Sequence, residues 1–128
     1  MNGPRRTVDI GRAAEEAAAE FLRSHGLREI GRNFRCHGGE IDLIMRHDEY
    51  LVFVEVRYRS SRRFGGAMES IVASKQRRLL HAAQRYLLQH KGGMPPVRFD
   101  VIAASPDVDG LHFDWIVDAF RVDEGWGR

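Results

Sequence analysis

Apolar residues recur at two spacings along this chain, and the spacing predicts where it coils and where it extends. From about Ile10 to His25, Ala14, Ala17, Ala18, Phe21 and Leu22 return every three or four positions, while Glu16, Glu20 and Arg23 fall opposite. This is the pattern of an amphipathic helix, and Gly26 stands where such a helix ends. Glu15 lies at the edge of the apolar stripe, close to Leu22 in angle, so its carboxylate either reaches water or leans over the layer beneath. Leu27 to Arg35 then reads as a strand, and Cys36, His37, Gly38 and Gly39 as a turn. Glu40 to Arg46 and Leu51 to Arg59 form the two arms of a hairpin around His47, Asp48 and Glu49. After a polar loop from Ser60 to Gly66 and a short helix around Ala67 to Ile71, a long helix is predicted from Ser74, as N-cap, to about His90. Its stripe is Leu79, Ala82, Ala83, Tyr86 and Leu87, and Gly92 and Gly93 end it. Val97 to Ala104 and Leu111 to Val117 complete the sheet, joined by a turn containing Pro106, Asp109 and Gly110. The fold class is α/β, with a central mixed sheet of about five strands flanked by helices.

Length narrows this to one domain over residues 1–128, with flexible tails at 1–8 and 119–128, because 128 residues are too few for two hydrophobic cores. No apolar run is long enough to span a bilayer and no signal-peptide pattern opens the chain, so no membrane partner is expected. The single cysteine, Cys36, excludes an internal disulfide and fits a reducing, cytoplasmic location. Net charge is only +2. The stretch from Arg57 to Arg78 nevertheless holds Arg57, Arg59, Arg62, Arg63, Lys75, Arg77 and Arg78 against a single acid, Glu69, which suits a phosphate-contacting face as well as an ordinary solvated one.

The second hairpin arm carries the chemistry. Leu51, Val52, Phe53, Val54 and Val56 make a nearly continuous apolar run, as in a central strand covered on both faces, and Glu55 and Arg57 interrupt it. With Asp48 and Glu49 as the turn, antiparallel pairing sets Asp42 opposite Glu55 and Glu40 opposite Arg57, all four on one sheet face. Opposed carboxylates repel unless a cation lies between them or one is protonated. An all-oxygen donor set favours Mg²⁺ or Mn²⁺ over zinc. The alternative explains the charges singly: Glu40 pairs with Arg57, Glu55 with Arg59, and Asp42 bonds backbone amides. Lys75 stands one turn before Leu79, at a helix N-terminus where a cation opposes the dipole, so it is a candidate to point at the same face. Asp100 reads as a buried capping or pairing residue, and Phe113 and Trp115 as packing, with an oligomer contact as the alternative for an exposed Trp115.

The order GEIDLI (Gly39 to Ile44) then LVFVEVR resembles the YraN-type family of bacterial proteins. The likeness extends to the first helix around Glu15, NFR at Asn33 to Arg35, VEVRYR at Val54 to Arg59, FG at Phe64 and Gly65, Lys75, and RFDV at Arg98 to Val101. It implies a restriction-endonuclease-like core related to Holliday-junction resolvases, in which an Asp and a Glu-x-Lys triplet hold the metal. Asp42 and Glu55 match those acids, Glu15 is an additional acid and Glu40 a neighbour. Arg57 occupies the lysine position, and arginine keeps its proton, so it can stabilise charge but not act as a base. The expected function is a metal-dependent nuclease on structured or branched nucleic acid, DNA favoured over RNA. Asp42 and Glu55 would bind metal, Glu15, Glu40, Arg57 and Lys75 would complete the catalytic set, and Arg59, Arg62, Arg63, Lys75 and Arg78 would hold the backbone. A homodimer would follow from symmetric cutting. The alternatives are a non-catalytic nucleic-acid-binding accessory module with a degenerate site, and a protein-interaction scaffold.

Overall fold

The computed structural model describes residues 3–60 and 73–121. Its elements run α1 (Gly3–Ser24), β1 (Arg28–Cys36), β2 (Gly39–His47), β3 (Tyr50–Tyr58), α2 (Ala73–Gln89), β4 (Val97–Asp107) and β5 (Gly110–Ile116). The five strands form one sheet in the order β1-β2-β3-β4-β5. All neighbours are antiparallel except β3 and β4, which run parallel because α2 lies in the connection between them.

One helix covers each face. Ala18, Ala19 and Leu22 of α1 pack on Leu43, Met45, Val52, Val54 and Ile102. Leu79, Ala82, Ala83 and Leu87 of α2 pack on Ile41, Ile44, Leu51, Phe53 and Phe99. The unbroken apolar run of β3 follows from this position, since the middle strand has a helix layer over both its faces. Gly39 lets α2 come close: a β-carbon there would collide with the Arg78 carbonyl oxygen and stand 3.0 Å from the Ala82 nitrogen.

Several boundaries differ from the periodicity. α1 begins at Gly3 rather than near Ile10, so a helix occupies much of the expected N-terminal tail. Ser74 lies inside the first turn of α2 and is not its cap. β4 continues through Pro106, which pairs with Leu111, so the turn is shorter than expected. Ala119 donates a backbone hydrogen bond to Phe99 and Phe120 stacks on the Phe99 ring, which anchors the start of the expected C-terminal tail. The short helix around Ala67 to Ile71 and the arginines Arg62 and Arg63 lie outside the described residues.

Among the described residues no helix is long and apolar enough to cross a membrane. Asp100 is fully buried and accepts from Arg98 through both oxygens, from the Trp115 indole and from the Asp118 amide, a closed structural network.

Candidate active site

The β2–β3 hairpin has the register that a turn at Asp48 and Glu49 dictates, from His47↔Tyr50 up to Leu43↔Val54. Asp48 takes the positive φ (55°) that such a tight turn requires. Beyond Leu43 the strands cease to follow simple alternation. Ile41 packs in the α2-side cluster and Leu43 in the α1-side cluster, although residues two apart in a regular strand share a face. β1 changes faces at the same level: Asn33, at φ 55°, falls between the pairs Arg32↔Leu43 and Phe34↔Ile41. Arg32 reaches Glu16 of α1, whereas Phe34 joins the α2-side cluster.

Asp42 sits at this crossover. Its Oδ2 accepts a hydrogen bond of 2.8 Å from the backbone N–H of Val56, so the carboxylate takes a place in the ladder between the strands. The expected pairs, Asp42 opposite Glu55 and Glu40 opposite Arg57, are therefore corrected: the described register ends at Leu43↔Val54. Val54 and Val56 belong to the α1-side cluster, which puts Glu55 and Arg57 on the α2 side. The acids meet at the end of the sheet, where the face swap brings them together.

There they line a cavity of about 140 Å³ with Gly11, Ala14 and Glu15 of α1, Glu40 and Asp42 of β2, Glu55, Arg57 and Tyr58 of β3, and Lys75 of α2. Gly11 and Ala14 have no bulk to fill the space. Burial pushes the Asp42 carboxyl up to about 8, with Glu55 adding most of the remaining push and Glu15 and Glu40 contributing, against the Val56 hydrogen bond. Glu55, only 9% exposed, is raised by burial too, and Lys75 and then Arg57 pull it back. Two carboxyls raised together in this way repel as a pair of anions, and a proton or a cation between them relieves the repulsion.

Arg62 and Arg63 lie outside the described residues, and the other expected site residues have defined places. Glu15, whose stripe-edge position left two readings open, turns into the cavity. Glu40 does not pair with Arg57; it lies 3.6 Å from Arg78 and 3.9 Å from Arg35. Arg57 lies 3.8 Å from Glu55, and its Nε is buried with no hydrogen-bond partner among the described residues. Lys75, exposed on α2, lines the same cavity as the carboxylates. Arg59 is different: it is largely buried and pairs with Asp114 at 3.2 Å, so it ties β3 to β5 rather than facing solvent as a backbone contact. Arg78 is exposed at the rim. The pairing of Glu55 with Arg59 that the bland alternative required is absent among the described ion pairs, but its hydrogen bond from Asp42 to a backbone amide is present.

Among the described residues no three His, Cys, Asp or Glu side chains converge as a ready metal cage. Asp42 and Glu55 nevertheless fit a hard cation, since Mg²⁺ is commonly held by one or two carboxylates with water and phosphate oxygens completing its shell. Sequence reasoning passed over Tyr58 and the small residues Gly11 and Ala14. Their role is to leave space, and only the packing of α1 against β3 reveals it.

Residues 14–104 match the model of the uncharacterised protein family UPF0102. A UPF0102 protein of Hahella chejuensis is 52% identical over 115 residues, spanning 90% of this chain and 92% of its own. Relatives from Ralstonia nicotianae and Nitrosococcus oceani, also UPF0102 proteins, are 50% and 49% identical, with 88% and 90% of this chain aligned and 87% and 94% of theirs. The chain belongs to the UPF0102 family, the same YraN-like family that its motifs resemble.

Proposed function

We propose that this UPF0102 protein is a metal-dependent phosphodiesterase acting on nucleic acid, DNA in preference to RNA, through a restriction-endonuclease-like site at the end of β2 and β3. The observation that carries the reading is the pair Asp42 and Glu55. Two carboxyls are held together at the cost of desolvation and mutual repulsion, with Glu15 and Glu40 adding to the burden. Such an arrangement destabilises a fold unless it serves a ligand.

Asp42 and Glu55 would hold Mg²⁺ or Mn²⁺, which would supply charge neutralisation at a phosphate and a more acidic bound water. Around that position Glu15 and Glu40 accept hydrogen bonds from water and orient it. Lys75 and Arg57 bring positive charge to the same cavity, where a guanidinium and an ammonium suit a phosphate. As an arginine, Arg57 serves transition-state charge rather than proton abstraction. Symmetric cutting of a duplex would use two copies of the chain.

The test is a cleavage assay on labelled single-stranded, duplex, flap and four-way-junction DNA and on RNA, with Mg²⁺ or Mn²⁺, wild type beside Asp42→Asn. Metal-dependent cleavage that the variant loses is the expected result. Binding without cleavage under either metal would replace this reading with the accessory-module one, which the Glu55–Arg57 ion pair at the lysine position favours.

A further inference from the structure

The cavity that holds Asp42 and Glu55 does not end at the carboxylates. Glu40, Glu55 and Lys75 also line a second cavity of about 300 Å³, whose remaining walls are Ser74 and Arg78. Ser74 and Arg78 in turn border an open groove of about 560 Å³ that runs along α2 past Gly38, Arg77, His81 and Gln84. Shared walls make the three spaces one path, and the sign of its lining reverses along the way. The first cavity collects four carboxylates, whereas no acidic side chain among the described residues lines the groove.

The spacing on α2 carries the basic character beyond the groove at both ends, since Lys75 and Arg85 lie outside its walls but in one series with Arg78 and His81. Lys75, Arg78, His81 and Arg85 follow one another at intervals of three, three and four, which places them along one flank of the helix over about 15 Å. All four side chains and Arg77 are exposed. The opposing wall is the β1–β2 turn, fixed by a hydrogen bond of 3.0 Å that the His81 Nε2–H donates to the His37 carbonyl. Among the described residues Arg78 pairs with Glu40, at 3.6 Å and half-exposed, an ion pair weak enough to give way to a phosphate.

We propose that this groove is a second contact site, which takes the sugar-phosphate backbone of a single nucleic acid strand as it continues away from the carboxylate pocket, with Arg77 and Arg78 as phosphate contacts. The inference rests on the functional reading above and adds a direction to it: the strand leaves the site along α2. An open, shallow, one-signed groove suits an extended polyanion, which is held by many weak contacts rather than by one enclosing pocket.

The experiment measures binding of a fluorescein-labelled single-stranded DNA of about a dozen nucleotides by anisotropy, in EDTA and across a salt series. The proteins compared are wild type, Arg77→Ala, Arg77→Ala/Arg78→Ala and Arg121→Ala. Each phosphate contact on a single strand contributes about 0.7 to the slope of log affinity against log salt. The slope should therefore fall by about 0.7 in the single variant and about 1.4 in the double, with roughly tenfold weaker binding by the double at low salt, while Arg121→Ala, an exposed arginine that lines none of the three spaces, keeps the wild-type slope. Unchanged slopes in both Arg77 variants would overturn the groove and leave the nuclease reading standing on its cleavage assay. Reduced slopes in a protein that cuts nothing would uphold the groove and remove catalysis. Absence of binding by the wild type would overturn the groove outright.

Discussion

At the scale of single residues, Asp42 is where stability and function oppose each other. Its carboxyl is buried beside Glu55, and its own ionisation is pushed up to about 8. A group that holds its proton more tightly folded than unfolded contributes stability below its ordinary value, near 4, and loses it as pH rises through the raised one. The metal-free protein should therefore lose stability between about pH 4 and pH 8 through this residue. Asp42→Asn keeps an oxygen to accept from Val56 and removes the ionisation. Thermal melts in EDTA should place the variant above wild type by roughly 5 °C at pH 8 and by less at pH 5. A variant that melts lower than wild type at pH 8 would mean that the Asp42 carboxylate stabilises the fold, contrary to this account.

At the scale of elements, the site depends on a face swap shared by β1 and β2. Asn33 enables it by adopting a left-handed backbone (φ 55°), which Asn tolerates better than most residues and β-branched residues resist. Asn33→Gly should keep both the fold and the site. Asn33→Val should cost about 1–2 kcal/mol or more in urea unfolding and weaken metal-dependent cleavage, because Asp42 would lose its place opposite the turnover. Equal stability of the two variants would show that the backbone conformation at Asn33 is not what sets the swap. α2 depends on an equally local feature, the missing side chain at Gly39, which brings Arg78 and Lys75 close enough to share the rim with the carboxylates.

At the scale of the whole molecule, the cavity is where three layers meet: α1 gives Glu15, the sheet gives Asp42, Glu40 and Glu55, and α2 gives Lys75. A ligand bridging these layers should stabilise the domain as a unit. Mn²⁺ at a hundredfold excess over its dissociation constant should raise unfolding free energy by about 2.7 kcal/mol, visible as a melting shift of roughly 10 °C for a domain of this size. The shift should vanish in Asp42→Asn, and its persistence there would place the ion elsewhere.

How much of this was legible depends on how local each cause is. Both long helices, all five strands and the core half of the β2–β3 register follow from short-range patterns: helical recurrence of Ala and Leu, alternation or continuity of Ile and Val, and a turn at Asp48 and Glu49. Asp42 and Glu55 stood out for the same reason, since charges inserted in an apolar run are visible without any tertiary contact. That their strands stop pairing beyond Leu43 and Val54 was not visible, because a register count assumes a regular pleat and the pleat breaks where Asn33 and Asp42 lie opposite each other on neighbouring strands. Arg59 was misplaced for a related reason. Its partner Asp114 is far away in the chain, and only the docking of β5 on β4 decides that the guanidinium turns inward to it. Amino-acid order determined which residues could do chemistry and which segments would carry them. Packing between segments distant in the chain decided which of those residues meet, because burial and charge pairing depend on neighbours that no local spacing encodes.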